Sequence, residues 1–243
     1  MRPSLSPFAP FFLALSCCLS TLSVPLHAET WQSLSHAGLR AADEGRFKDA
    51  EAHFRDAEKL SAGFDQGDPR HATSINNLAY ALHANGQYQP AVDLYLRAKS
   101  IREVTLGRDH PDVAETCNNL GELYRLLGDY EASEQLHLRA LDIRKRVFGP
   151  NHPESAQSMN NLGVLYAHLK QFSKADQLYR EALTIRVRSY GEDHPATAET
   201  RNNLATLHYV QGRLTDAEEL YLLAIEAEEK QLESQHPSLA TTL

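Results

Sequence analysis

His-Pro recurs at positions 110, 152, 194 and 236, and Asn-Asn-Leu recurs at 76, 118, 160 and 202. Both series share a period of 42 residues and keep one phase. This regularity constrains the fold more than any feature of composition. A unit so short cannot bury its own apolar face, so it buries that face against its neighbours and the copies stack into a solenoid. The functional question then becomes which partner the chain holds, ahead of which reaction it runs.

Residues 1–28 differ in kind from the rest. They hold one charge, Arg2, then an apolar stretch from Phe8 to Val24, then Pro25-Leu26-His27-Ala28. A basic start, an apolar middle and a small exit residue read as a secretory signal peptide cleaved after Ala28. The expected protein is residues 29–243, exported to a bacterial periplasm. The alternatives are secretion, or a lipoprotein signal in which Cys17 or Cys18 carries a lipid anchor. The apolar run is too short and too interrupted for a membrane span. Loss of residues 1–28 removes Arg2 and no acid, so the formal net charge of −8 becomes −9. An acidic chain with no basic run and no glycine-rich RNA motif speaks against nucleic acid. Only Cys117 then remains of three cysteines. It can form no internal disulfide, and its apolar helical setting suits a buried thiol.

The unit that begins at Pro111 shows the physical logic. Asp109 or His110 can cap a helix, and Pro111 in the first turn gives up no needed hydrogen bond. From Val113 to Leu127, Cys117, Leu120, Gly121 and Tyr124 fall at helical spacing. Gly128-Asp129 breaks that helix. A second runs from about Tyr130 to Val147, with Ala132, Leu136, Ala140, Leu141 and Ile143 on its apolar side, and Gly149-Pro150 ends it. The short loop makes the two helices antiparallel neighbours. Gly121 is in phase with Ala79, Gly163 and Ala205, and Ala140 with Ala98, Ala182 and Ala224. Small residues there let the helix axes approach closely.

The fold is therefore read as all-α, an α-solenoid of five helix pairs near residues 31–66, 69–108, 111–150, 153–192 and 195–234. The first pair is a weaker copy that lacks Asn-Asn-Leu, as suits a terminal unit. Residues 237–243 begin a sixth first helix that stops short. They read as the start of a truncated array, as a minimal cap, or as one side of an open end that a second chain covers.

Gly or Ala at the eighth position, Tyr three later, Gly-x-[Tyr/Phe/Leu] at the turn and Ala-x-x-x-Tyr-x-x-Ala resemble the tetratricopeptide repeat. The longer period, with Gly-x-x-His-Pro and Asn-Asn-Leu, is similar to the kinesin-light-chain subtype. The resemblance covers roughly residues 31–243 and is architectural, with nothing like a kinesin light chain's coiled coil. It implies a right-handed superhelix whose first helices line a concave groove that binds peptides or partner helices. On this basis the groove receives Asn76, Asn118, Asn160 and Asn202. It also receives Tyr80, Glu122, Val164 and Thr206, and one turn further His83, Arg125, His168 and Tyr209.

An Asn carboxamide can pair with both the N–H and the C=O of a peptide backbone. With equivalent helices about 10 Å apart and an extended peptide advancing about 3.3 Å per residue, a ladder of such side chains could grip every third peptide residue. The other reading is that these carboxamides bond to the neighbouring repeat, and for Asn77, Asn119, Asn161 and Asn203 that structural role is preferred. Arg102, Arg144 and Arg186 recur near the ends of second helices, where cations complement the helix dipole. Arg125 is the one basic groove residue, while Glu115, Glu122 and Glu199 disfavour a strongly acidic ligand. The four His-Pro histidines lie too far apart to share a metal, and capping explains them better. No nucleophile elbow or phosphate loop is present. We therefore expect an exported, non-catalytic scaffold or adaptor with no cofactor and no metal, whose partner is a protein or an extended peptide. The alternatives are a self-assembling module that stacks through its open C-terminal end, or a regulatory module for an enzyme encoded nearby.

Overall fold

The computed structural model describes residues 26–235, and within them every element is an α-helix. The order is α1 (Leu26–Asp43), α2 (Phe47–Ser61), α3 (Pro69–Ala84), α4 (Tyr88–Thr105), α5 (Pro111–Leu127), α6 (Tyr130–Phe148), α7 (Pro153–His168), α8 (Phe172–Tyr190), α9 (Pro195–Val210) and α10 (Leu214–Gln235). Odd and even helices pair as expected, and each even helix also packs against the next odd one. The expected cleavage after Ala28 falls in the first turn of α1. Residues 1–25 and 236–243, which carry the rest of the expected signal peptide and the whole of the expected sixth-unit start, lie outside the described residues. No described helix is long and apolar enough to cross a membrane.

Capping sets the helix starts. The imidazole Nδ1 of His110, His152 and His194 accepts from the backbone N–H of Asp112, Glu154 and Ala196 at 3.2, 3.2 and 3.1 Å. Asp68 performs the same task for α3. Each cap fills one orphan donor, and proline in the first turn removes another. Of the two cap candidates for α5, His110 is the one used.

In the first, third and fourth pairs, a ring on the second helix packs into the space left by a glycine on the first, at Gly38, Gly121 and Gly163. Tyr179 lies against Gly163 so closely that an added Cβ would fall 2.7 Å from the ring. His137 sits likewise on Gly121. The core falls mainly into two clusters, one from α1 to α5 and one from α6 to α9, with Leu120, Leu123, Leu165 and Leu204 fully enclosed. Cys117 belongs to this interior, where burial pushes its thiol up to about 11, so the lone cysteine is a packed side chain.

Candidate functional site

Successive first helices touch one another, α3 with α5, α5 with α7 and α7 with α9, while no two second helices pack to a like extent among the described residues. The odd helices therefore form the tighter, inner layer, and the groove is theirs. Tyr80 and Tyr209 stand on it, 43% and 61% exposed. Tyr80 is braced edge-on by Phe47. Glu122 and Arg125 are joined by two hydrogen bonds of 2.6 and 2.8 Å, which ties the groove's one cation to an acid. His83 is half-buried against Tyr88, and burial holds its imidazole below the ordinary range.

Residues from α5, α7, α8 and α9 line a half-open cavity of about 260 Å³. Arg125, Val164, Ala167, Phe172, Thr206 and Val210 are among its lining residues. The volume lies below the roughly 300–1,000 Å³ typical of small-molecule sites, so it suits one bulky side chain better than a free metabolite. His168 also lines it, but not as expected. The phase of 83, 125 and 209 runs through Ala167, so His168 sits one position out. Its Nε2 shares a 2.9 Å hydrogen bond with the Tyr130 hydroxyl, which orients it by the preceding unit. Ala167 was legible from the period alone. Phe172 opens α8 at the aromatic turn position that Tyr88 and Tyr130 also occupy, so its signal was present too.

The Asn ladder requires a correction. Asn76, Asn118 and Asn160 are 1%, 4% and 1% exposed and lie beneath the groove surface. Each is bonded across a repeat junction. Asn76 donates to Glu115 and accepts from the Thr116 hydroxyl, both at 3.2 Å. Asn118 donates to Ser158 at 3.0 Å, and its carbonyl pairs with His137 Nδ1 at 3.1 Å. Asn160 donates to Glu199 and accepts from Asn203, both at 3.1 Å. Groups this enclosed cannot reach a peptide backbone without parting two helices. Asn202 alone is partly exposed, with a 3.4 Å contact to Glu228.

The arginines need a second correction. Arg102, Arg144 and Arg186 stand near the ends of their helices, Arg102 in the last turn of α4, but they are 2–4% exposed and serve the junction with the next unit. Each crosses to the next first helix and donates to a first-turn carbonyl, of Asp112, Glu154 or Ala196. Each also donates to a hydroxyl one turn on, of Thr116, Ser158 or Thr200. Glu115 and Glu199 are held by these same arginines, so neither is a free anion facing a ligand. Among the described residues no cluster of His, Cys, Asp and Glu is arranged to hold a metal ion.

With the helix pairs, their phase and their inner layer established, the family can be stated. The model of the tetratricopeptide repeat matches residues 70–145, 118–186 and 166–227. This chain belongs to the tetratricopeptide repeat family. BtubC (BKLC) from P. vanneervenii is similar at 25% identity over 82% of this chain and 80% of that one, with a TM-score of 0.69. A putative kinesin light chain from Podosopora anserina is 22% identical over 85% of this chain and 98% of that one, with a TM-score of 0.67. The Rap conjugation gene regulator of plasmid pLS20, solved with the Phr* peptide, is 15% identical over 90% of this chain and 60% of that one, with a TM-score of 0.71. The last two likenesses concern the fold. No curated protein matches the chain.

Proposed function

We propose that this tetratricopeptide repeat protein is a non-catalytic scaffold that holds an extended peptide or partner helix in its concave layer. The observation that carries this reading is the inner cavity, where groove positions of three successive units converge on space for one apolar side chain. In this reading the anchor is a bulky aliphatic or aromatic side chain of the ligand. Tyr80 and Tyr209 add exposed rings along the groove, and the Glu122–Arg125 pair offers one donor and one acceptor edge. The Rap regulator, which shares the fold, was solved in complex with the Phr* peptide, which supports a peptide as the class of ligand. The junctional asparagines set the spacing between units, which sets where the groove side chains stand.

The test is a displayed peptide library panned against the chain and against Thr206→Trp, which fills the cavity. Peptides selected by the parent should share one bulky apolar residue and lose about tenfold or more in affinity for the variant, with circular dichroism unchanged. Equal binding to both proteins would remove the cavity from recognition. We further infer that the chain acts after export, from the basic, apolar and small-residue order of residues 1–28. Fractionation of expressing cells should find a periplasmic form that lacks them. Retention of the full-length chain in the cytoplasm would overturn that inference.

A further inference from the structure

The inner cavity between α5, α7, α8 and α9 joins apolar walls to a polar floor. Val164, Phe172 and Val210 supply apolar surface, and Tyr179, Asn203 and Arg125 bring polar groups to the same space. The direction in which one of these groups can hydrogen-bond is fixed from outside the cavity.

The chain of cause begins at the junction beneath. Arg186 Nη1 donates to Glu199 Oε2 at 3.0 Å. As a carboxylate, Glu199 can only accept. Its Oε1 accepts from the Asn160 carboxamide at 3.1 Å, so Asn160 must give its NH2 to the glutamate and turn its oxygen away. That oxygen accepts from Asn203 Nδ2 at 3.1 Å. If the Asn203 carboxamide turned over, two amide oxygens would face each other. The two ends of an Asn are assigned from such neighbours, and here one carboxylate decides both residues. Asn203 Oδ1 is thus a fixed acceptor, with no donor of its own among the described residues. The earlier junctions divert this relay. The oxygen of Asn76 accepts from Thr116, and that of Asn118 pairs with His137, so neither orients a carboxamide on the groove.

The other two groups are also incompletely used. Tyr179 is 2% exposed, yet its hydroxyl has no hydrogen-bond partner among the described residues. The in-phase hydroxyl of Tyr95 is unpaired too, but it is sealed from solvent. Buried polar groups normally find a partner, and the cavity that Tyr179 lines has room for one. Arg125 spends Nε and Nη2 on Glu122 and keeps Nη1 unpaired.

These groups discriminate among bulky side chains. A Lys or Arg tip meets the Arg125 charge. A carboxylate has no proton for Asn203 Oδ1. A Trp N–H donates only and leaves Arg125 and Tyr179 without an acceptor, while Phe and Leu satisfy none of the three. A phenol both donates and accepts.

We propose that the cavity selects a tyrosine side chain of the bound peptide, an inference that rests on the reading of this cavity as the anchor site. The ring lies against the apolar wall. Its hydroxyl donates to Asn203 Oδ1 and accepts from Arg125 or Tyr179. Arg186, Glu199 and Asn160 act as positioning residues that set the acceptor.

Four displayed peptide libraries test this, with Tyr, Phe, Trp or Leu fixed at the central position and random flanks. Panned against the chain, the Tyr library should be enriched about tenfold or more over the others, because loss of the hydroxyl leaves buried groups unpaired. Tyr179→Phe removes only an unpaired hydroxyl, so Tm should hold while the preference for Tyr over Phe falls. Glu199→Gln lies outside the cavity lining and frees both carboxamides to turn over. It should lower the same ratio, which a loss of stability alone would not do. If Phe, Trp or Leu is enriched as strongly as Tyr, and binding is still lost in Thr206→Trp, the tyrosine assignment is overturned and the apolar anchor stands. Selected peptides that bind Thr206→Trp as well as the parent overturn both readings. A Tyr preference unmoved by Tyr179→Phe and by Glu199→Gln places the selected hydroxyl elsewhere on the groove and also overturns the proposal.

Discussion

At the residue scale, Asn118 separates position from role. Its carboxamide joins Ser158 of the next unit and His137 of its own, and removal leaves both without that partner inside the stack. Unmaking a buried pair typically costs about 1–3 kcal/mol. Asn118→Ala should therefore lower thermal stability by that order, whereas exposed Tyr209→Ala should leave it nearly unchanged; equal effects would refute the buried bracket. His137 adds a second test. Burial is the main cause that lowers its imidazole from 6.5 to about 4, with Arg125 lowering and Glu122 raising. In the unfolded chain the ring takes its proton near pH 6.5, in the fold only near 4, so the unfolded state binds more protons between these values. Stability is thus fully present above about pH 6.5 and declines as pH falls toward 4, by up to about 3 kcal/mol. His137→Phe should flatten the unfolding free energy over that window, and an unchanged slope would place the acid sensitivity elsewhere. The period revealed where Asn118 stands along its helix but not how deep. Depth depends on the side chain 39 or 40 residues on, and that partner varies among Glu115, Ser158 and Glu199, so no repeated partner was visible in the sequence.

At the scale of elements, the helix boundaries were the most legible feature, because each is written in a local signal. His-Pro marks every start from α5 to α9 on the inner layer, and the cap geometry explains why a histidine serves there. Phe148 and Tyr190 stack on His152 and His194 with ring centroids 4.8 and 4.3 Å apart, which fixes the imidazole for its bond. His152→Ala should cost about 1 kcal/mol, and His152→Asp should recover most of it, since Asp68 caps α3 in the same way. Urea unfolding of the pair would show whether capping or stacking is the larger contribution. The arginine bridges were legible only as a recurring residue, since one target of each is a first-turn backbone carbonyl that no side-chain pattern records. Arg186→Met removes donors to Ala196, Glu199 and Thr200 from a buried site. Loss of one member of such an arrangement costs about 3 kcal/mol or more. The same change at exposed Arg188 should be close to neutral.

At the scale of the whole molecule, a solenoid's stability is a sum of unit and nearest-neighbour terms, so its ends are weaker than its middle. The two ends here are not equivalent. The first junction is closed by a 2.6 Å hydrogen bond from Trp31 to Ser74, and by Arg70 lying 4.2 Å over the Phe64 ring. The fifth unit has an alanine cluster at Ala198, Ala224 and Ala227, and Glu228 where an arginine bridge would be. Local opening should therefore begin in α9 and α10, with α1 and α2 next and α5 to α8 last. Hydrogen exchange of backbone amides reads this order directly, because each segment reports its own opening free energy. Exchange in α5 to α8 as fast as in α9 and α10 would refute this order, because it would mean that the units open together and not one by one.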